Sequence, residues 1–240
     1  MTGYSRSTSI GDWVVEHPQT ARVFEELQLD YCCGGDISLA QACLKKGLDV
    51  DAIASRLCDI IAHSSNDLQE NWNESSLSKL CDHIEATHHQ FLRTELPRIT
   101  QLTQRVAGAH SANHPELLTL QNQFDELRAE LETHMGKEEQ ILFPAIRQLE
   151  ESATQPQFPF GTVGNPIRMM EHEHESVGDA LKRIRELTSD FHVPDDACNT
   201  WRVMLDALRN LEADLHQHIH KENNILFPRA QQLESSRPNA

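Results

Sequence analysis

Two segments of the sequence carry a histidine and a glutamate at the same spacing and in the same setting. The chain reads HMGKEEQILFP from His134 and, 84 residues later, HIHKENNILFP from His218. Glu138 and Glu222 follow these histidines by four positions, so on a helix each pair shares one face, with Cβ atoms about 5–6 Å apart. Imidazole and carboxylate groups suit iron, manganese or zinc. The repeat therefore predicts a metal site with contributions from two similar halves of the chain.

Both pairs continue an apolar stripe whose members are separated by alternating steps of four and three residues. This period is typical of a helix that packs into the core of a bundle. The two stripes are Leu120, Phe124, Leu127, Leu131, His134, Glu138 and Ile141, and Met204, Leu208, Leu211, Leu215, His218, Glu222 and Ile225. Their alignment predicts that the histidine and the glutamate of each pair lie in the bundle core.

Two single histidines extend the duplication. His89 and His174 each precede three apolar residues at steps of three, four and three. The complete set of predicted metal ligands is His89, His134, Glu138, His174, His218 and Glu222. A buried carboxylate without a partner costs several kcal/mol, so these groups among leucines predict bound cations. Six side chains are too many for one tetrahedral zinc. They suit two metal ions about 3.5–4 Å apart, bridged by both glutamates.

Other polar residues on the same helices have less definite roles. Glu130 and Asp214 precede the histidines of the two pairs by four residues. They are predicted to accept the free N–H of a ligating imidazole, with an ordinary carboxylate at the bundle rim as the alternative. His88 is expected to be less buried than its neighbour because charged residues share its face. Three histidines are expected in solvent: His172, His216 and His220.

The composition excludes several classes of function. The 240 residues include 21 lysines and arginines against 37 aspartates and glutamates, a net charge of −16. We therefore expect neither nucleic acid nor an anionic membrane as a partner. No apolar run reaches the roughly 20 residues that span a bilayer, and the start of the chain lacks the apolar core of a signal peptide. The six cysteines form no C-x-x-C pair, and together these features predict a cytoplasmic protein.

The distribution of glycine, proline and polar residues divides the chain. Four long amphipathic patterns follow one another at about residues 77–106, 116–150, 167–188 and 195–233. Their connections predict a four-helix bundle over residues 77–233. Residues 1–62 predict a small unit of short helices, with Ser38 and Asp49 or Asp51 as helix caps. The polar segment 63–76 is predicted to be a linker, and the predicted fold class is all-α.

These motifs resemble those of the hemerythrin-like proteins, which are four-helix bundles with a non-haem di-iron centre. The resemblance is closest to the repair-of-iron-centres family of iron–sulfur cluster repair proteins. The segments HMGKEEQILFP, EHEHE and HIHKENNILFP are similar to the metal-binding segments of that family, and DYCCGG is similar to part of its N-terminal domain. The resemblance covers nearly the whole chain. It implies two iron ions with carboxylate and oxo or hydroxo bridges, held by the six residues above.

The same resemblance implies a function in stress. It implies repair of iron–sulfur clusters damaged by nitric oxide or peroxide, through donation of labile iron to the damaged proteins. Two alternatives stay open: an enzyme that reduces nitric oxide at the di-iron centre, and a binding module that senses oxygen or nitric oxide. Oxygen-carrying hemerythrins use more histidines, so oxygen carriage is disfavoured. The oligomeric state is also open, with a homodimer through the N-terminal unit as one alternative.

Two adjacent cysteines, Cys32 and Cys33, form a candidate thiol site. Gly34 and Gly35 follow them and allow a tight turn that exposes both thiols. Adjacent cysteines do not readily form a relaxed disulfide with each other. Such a pair is suited to passing iron, holding a cluster, or reacting with nitric oxide or persulfide, and a turn packed between helices is the alternative. The other cysteines are expected in the core: Cys43, Cys58, Cys81 and Cys198.

Overall fold

The computed structural model describes residues 5–63 and 71–238, and every regular element in these ranges is helical. Four short helices form the N-terminal unit: α1 (Ile10–Glu16), α2 (Ala21–Glu26), α3 (Leu39–Lys46) and α4 (Val50–His63). The predicted all-α fold is confirmed. Half of the predicted linker, residues 64–70, lies outside the described residues, and the predicted domain boundaries stay predictions.

Side-chain caps explain where the short helices begin. The Ser38 hydroxyl accepts the backbone N–H of Gln41 at 3.2 Å, and the Gln41 side chain accepts the backbone N–H of Ser38 at 3.1 Å. This reciprocal pair satisfies two donors at the start of α3. The Asp49 carboxylate accepts the N–H groups of Asp51 and Ala52 at the start of α4. Ser38 and Asp49 are therefore caps, as predicted, and Asp51 is a donor to the cap.

Four long helical segments follow, which we call bundle helices 1 to 4. Their parts are α5 (Leu77–Ile84), a π turn (Glu85–His89) and α6 (Gln90–His110); α7 (Glu116–Lys137), a π turn (Glu138–Leu142) and α8 (Phe143–Glu151); α9 (Gly164–Leu187); and α10 (Asn199–Lys221), a π turn (Glu222–Leu226) and α11 (Phe227–Ser236). Within residues 71–238, bundle helix 3 alone has no π turn.

The π turns of bundle helices 2 and 4 are each followed by a phenylalanine and then a proline. Pro144 and Pro228 lack an N–H group and cannot donate to the carbonyl four residues back. The N–H of the preceding phenylalanine, Phe143 in bundle helix 2, donates to the carbonyl five residues back, that of Glu138. Bundle helix 4 has the same bond, to Glu222. Each helix is thus widened by one residue, and π turns of this kind often occur at functional sites.

Adjacent bundle helices run antiparallel, as ion pairs between bundle helices 1 and 2 show. Arg93 binds Glu139, and Arg147 binds Asp82, both at 2.6 Å. Asp82 precedes Arg93 in bundle helix 1, whereas their partners follow in the reverse order, Glu139 before Arg147, in bundle helix 2. The two helices therefore run in opposite directions. The remaining neighbours are joined by the pairs Lys137–Glu173, Arg185–Glu212 and His88–Asp214. The arrangement brings the middle of every bundle helix to the same depth along the bundle axis.

Two apolar clusters fill the interior, one on each side of that depth. The larger combines the N-terminal unit with bundle residues such as Leu92, Phe124 and Leu208. The smaller lies at the opposite end and contains the I-L-F-P residues Phe143 and Phe227. On each bundle helix the predicted ligands lie where the residues of one cluster give way to those of the other. The polar layer is therefore enclosed by hydrocarbon at both ends.

The N-terminal unit packs against bundle helix 4 and covers part of its outer face. The Asn224 amide donates to the carbonyl oxygen of Tyr31 at 3.3 Å. The Tyr31 ring lies edge-on to His220, with ring centroids 5.4 Å apart. These contacts bury His220, so its predicted place in solvent was wrong. The pattern of one helix does not show that a second unit covers its outer face.

Several other positions differ from expectation. Ile141 is 47% exposed although it was predicted to be buried, and the adjacent Leu142 is buried; Ile225, at the equivalent place in the π turn of bundle helix 4, is buried as predicted. Cys58 and Cys198 are exposed rather than in the core, whereas Cys43 and Cys81 are buried as expected. His172 is exposed, as predicted, and His216 is half-buried.

No helix in residues 5–63 and 71–238 is both long enough and apolar enough to span a lipid bilayer.

Gly35 should be far less tolerant of substitution than Gly34. A Cβ atom at position 35 would lie 2.3 Å from the carbonyl oxygen of Tyr31, whereas at position 34 the nearest atom is 3.4 Å away. We expect Gly35→Ala to lower the free energy of unfolding by about 1–3 kcal/mol, because backbone must move to make room. Denaturant titration measures this, with Gly34→Ala as the control. Equal stability of the two variants would contradict the described turn.

Candidate metal centre

The structure brings together the six side chains that the sequence predicts as ligands. Their donor atoms form two groups, each within 4.8 Å: position A, with His89, Glu138, His218 and Glu222, and position B, with His134, Glu138, His174 and Glu222. Both glutamates belong to both positions. All six side chains are at most 3% exposed. The arrangement offers two adjacent cation positions that share two carboxylates.

Polar atoms in this layer lie close together without satisfying one another. His89 Nε2 is 3.2 Å from Glu138 Oε2, and His134 Nε2 is 3.3 Å from Glu138 Oε1. Yet neither oxygen of Glu138 has a hydrogen-bond partner among the described residues. His174 Nε2 lies 3.1 Å from His134 Nε2. Because buried polar groups are normally paired, donor atoms that converge in this way fit a pair of cations, and the donor set suits iron.

Electrostatics keep the carboxylates of this layer anionic. Burial and the neighbouring Glu222 act to raise the pKa of Glu138, but adjacent imidazoles, above all that of His134, outweigh them and hold the pKa below its ordinary value. Burial acts to lower the pKa of His134, but Glu138 and Glu173 raise it to about 10. A proton on the His134 imidazole therefore offsets part of the charge of the buried carboxylates, and a bound cation would displace it.

Three of the ligand histidines have an acceptor at the ring nitrogen that faces away from the centre. The pairs are His89 Nδ1 with Glu139 Oε1 at 2.7 Å, His134 Nδ1 with Glu173 Oε2 at 2.9 Å, and His174 Nδ1 with Asn223 Oδ1 at 2.8 Å. Acceptors in this place fix the ring orientation and make the imidazole a stronger donor to a metal.

The predicted acceptors, Glu130 and Asp214, do not take this role. Glu130 is exposed and accepts from the hydroxyl of Ser176 at 3.4 Å. Asp214 accepts from Nδ1 of His88 at 2.9 Å. The prediction was wrong because it sought partners on the same helix as each histidine. The residues that act, Glu139, Glu173 and Asn223, lie on neighbouring helices, and each is adjacent in sequence to a ligand. A search of the immediate neighbours of the ligands would have found them.

Two phenylalanines of the I-L-F-P segments cover the single histidines. The rings of Phe143 and His89 stack with centroids 5.8 Å apart, and those of Phe227 and His174 stack with centroids 6.0 Å apart. The contacts occupy equivalent places in the two halves. They hold the imidazole planes and keep water from that side of the layer.

His88 is 2% exposed, so its predicted lower burial was wrong. It lies in the first π turn and faces bundle helix 4, where its ring stacks on His218 with centroids 5.3 Å apart and planes 2° from parallel. Its Nε2 atom accepts from the Lys221 ammonium group at 2.7 Å. The sequence analysis assumed an unbroken α-helix, and the π turn changes which residues face inward.

The cysteine pair lies beside bundle helix 3, next to position B. Cys33 Sγ is 3.5 Å from the carbonyl oxygen of His174. The amide nitrogen of Asn223 donates to the carbonyl oxygen of Cys32 at 3.3 Å, while its oxygen accepts from His174. Both cysteines line a cavity of about 400 Å³ between the N-terminal unit and the bundle. The hydrogen bond to Cys33 and burial raise the pKa of the Cys32 thiol well above its ordinary value.

Comparison with known proteins gives two family matches and a set of similar full-length proteins. Residues 82–230 match the hemerythrin HHE cation binding domain, and residues 6–60 match a domain described as of unknown function (DUF542). The iron-sulfur cluster repair protein YtfE of Dickeya chrysanthemi (strain Ech1591) is 37% identical over 226 residues, 94% of this chain and 97% of the relative. Proteins of the same name from Edwardsiella ictaluri (strain 93-146) and Escherichia coli O81 (strain ED1a) are 36% and 35% identical, with the same coverage.

Ferrous iron should stabilise the metal-free protein, and His134→Ala should remove most of that effect. Binding to the folded state alone adds about 2.7 kcal/mol when free metal is 100 times its dissociation constant. Thermal unfolding of chelator-treated protein, with and without ferrous iron under anaerobic conditions, measures the shift. His172→Ala is the matched control, because that histidine is exposed and outside both positions. Equal shifts in the two variants would contradict the described centre.

Proposed function

The chain belongs to the hemerythrin HHE cation-binding family and to the family of iron–sulfur cluster repair proteins, and from this we propose that it restores damaged clusters by donating iron. Two iron ions would be held by His89 and His218 at position A and by His134 and His174 at position B, with Glu138 and Glu222 available to both. The partners are proteins whose iron–sulfur clusters have lost iron under nitrosative or oxidative stress.

The observation that carries this proposal is the pair of fully buried, shared glutamates. Their oxygens converge with four imidazoles at two adjacent positions. When bound, iron supplies Lewis-acid and one-electron redox chemistry, and it is also the cargo. Each ion has two imidazoles of its own and must share both carboxylates. Such a donor set has few charged ligands per ion, which favours release to an acceptor with thiolate or sulfide ligands.

The protein's own residues keep the centre ready to bind iron again. Glu139, Glu173 and Asn223 hold three imidazole rings in place through their Nδ1 atoms. The stacked phenylalanines and the two apolar clusters exclude water from the layer. Without iron, the raised pKa of His134 allows its imidazole to carry a proton beside the buried carboxylates. The metal-free fold is therefore not forced open by repulsion between Glu138 and Glu222.

Iron-loaded protein should restore activity to a dehydratase whose iron–sulfur cluster has been damaged by peroxide. We expect recovery several times greater than that given by the same amount of free ferrous iron, because the centre presents iron directly to its client. The double variant Glu138→Gln/Glu222→Gln should bind little iron and give no recovery beyond free iron. Enzyme activity and iron content are measured in parallel. Recovery equal to that of free iron, from protein that contains two iron ions per chain, would contradict iron donation.

We further propose that Cys32 and Cys33 receive iron that leaves the centre, which they approach on the side of position B. Asn223 joins His174 to the cysteine loop, and the cavity beside Cys33 gives an acceptor room to approach. The buried Cys32 thiol, with its raised pKa, supports the loop, and the half-buried Cys33 is the thiol that an acceptor reaches first.

Cys33→Ser should slow the transfer of iron to a client at least severalfold and leave the iron content of the protein unchanged. The reason is that serine keeps the turn but is a poor ligand for ferrous iron. Transfer is followed as the rate of dehydratase recovery. Cys58→Ser provides the control, since Cys58 is an exposed cysteine on α4, away from the centre. A wild-type transfer rate in Cys33→Ser would exclude the thiol from the pathway.

A further inference from the structure

The internal duplication makes the surroundings of the two positions directly comparable. Three pairs of equivalent residues flank the ligands: Lys137 and Lys221, Glu139 and Asn223, and Glu173 and His88. The lysines are conserved between the halves, whereas the other two pairs differ. A difference between equivalent places predicts a difference between the two cation positions.

Behind His134, the histidine of the first His-x-x-x-Glu pair, lies a carboxylate from bundle helix 3. Glu173 accepts from His134 Nδ1 at 2.9 Å. Its other oxygen is bound by Lys137. An anionic acceptor behind a ligating imidazole strengthens its bond to a metal.

Behind His218, the histidine of the second pair, His88 of bundle helix 1 occupies the equivalent place and cannot act in the same way. The Lys221 ammonium group is a donor without acceptor capacity, so the Nε2 atom of His88 must accept from it. The proton of His88 is then on Nδ1 and is donated to Asp214. Both ring nitrogens are used, and His88 offers His218 the flat face of its ring. Accordingly, Nδ1 of His218 is buried without a hydrogen-bond partner among the described residues.

The remaining contacts do not compensate for this difference. At position A, His89 has the carboxylate of Glu139, which is also bound by Arg93. That arrangement resembles the one around His134 at position B, where Lys137 binds the carboxylate. The two positions differ at their other histidine. At position B, Nδ1 of His174 has the amide oxygen of Asn223 as its acceptor, whereas at position A, Nδ1 of His218 has no acceptor in residues 5–63 or 71–238.

We propose that the two cation positions are unequal and that His88 sets the difference, with position A binding iron more weakly and releasing it first. This inference rests on the proposed two-iron centre and names which of its ions is delivered first. His88 is a positioning residue in this scheme. It reaches the metal only through His218, by occupying the place where an acceptor stands in the other half.

Release of ferrous iron from the wild-type protein tests the inequality directly. Iron-loaded full-length protein is mixed anaerobically with an excess of a ferrous chelator whose complex is coloured, and absorbance is followed with time. Loss of an outer hydrogen-bond partner typically lowers metal affinity about 10–100-fold. We therefore expect two phases of equal amplitude, with rates that differ at least about tenfold. A single phase that releases both ions would overturn the inference.

Reciprocal variants test the assignment to His88. His88→Glu introduces, beside Lys221, the carboxylate that Glu173 provides beside Lys137, and should slow the fast phase about tenfold or more. Glu173→His makes the opposite exchange and should accelerate the slow phase to a similar extent. His88→Ala removes the ring without adding an acceptor and should not slow the fast phase. If His88→Ala slows release as much as His88→Glu, or if His88→Glu leaves the fast phase unchanged, the assignment is wrong.

Two controls separate this inference from the proposed function. Circular dichroism shows whether each variant keeps its helical fold. If His88→Glu does not fold, the rate of the slow phase in Glu173→His is the test of the assignment. Iron content before mixing shows whether two ions are bound. Fewer than two ions in the wild-type protein would count against the proposed centre, whereas two ions released at one rate would overturn only the inequality.

Discussion

Two carboxylates inside an apolar bundle set the constraint on which the rest of the structure depends. Glu138 and Glu222 are fully buried, and apolar clusters lie on both sides of the layer that contains them. An isolated charge in such a place would shift its pKa or destabilise the fold. Four imidazoles offset this cost, and acceptors on neighbouring helices orient three of them in turn. The antiparallel packing, the π turns and the stacked phenylalanines all serve to bring these groups to one depth.

The six central residues could be predicted from the sequence because their evidence is periodic. A histidine and a glutamate continue an apolar stripe in two helices, and two more histidines begin matching stripes. The same reasoning fails where the period changes. The π turns insert a residue that no local pattern reveals, and His88, which lies in the first of them, is buried although it was predicted to be less buried. Ile141 was predicted to be buried and is exposed, whereas Ile225 in the equivalent π turn is buried as predicted.

Contacts between separate helices could not be predicted from the sequence pattern of each helix alone. The outer acceptors of the ligand histidines come from neighbouring helices, so a search along the same helix found Glu130 and Asp214 instead of Glu139, Glu173 and Asn223. The burial of His220 has a similar cause, since the N-terminal unit covers the face of bundle helix 4 that an isolated bundle would expose to water. An apolar stripe in the sequence predicts that one face of a helix is buried. It cannot predict that a polar face of the same helix is buried by another part of the chain.

Each cation position takes one histidine from residues 77–151 and one from residues 164–236. Neither helical hairpin can therefore assemble either position alone. A shorter ancestral polypeptide with a single copy of the motif would have acquired the centre only as a twofold-symmetric pair of chains. Fusion of the two copies fixes their effective concentration and makes assembly independent of how much protein the cell contains. It also frees each copy to mutate separately, which a symmetric pair encoded by one gene cannot do.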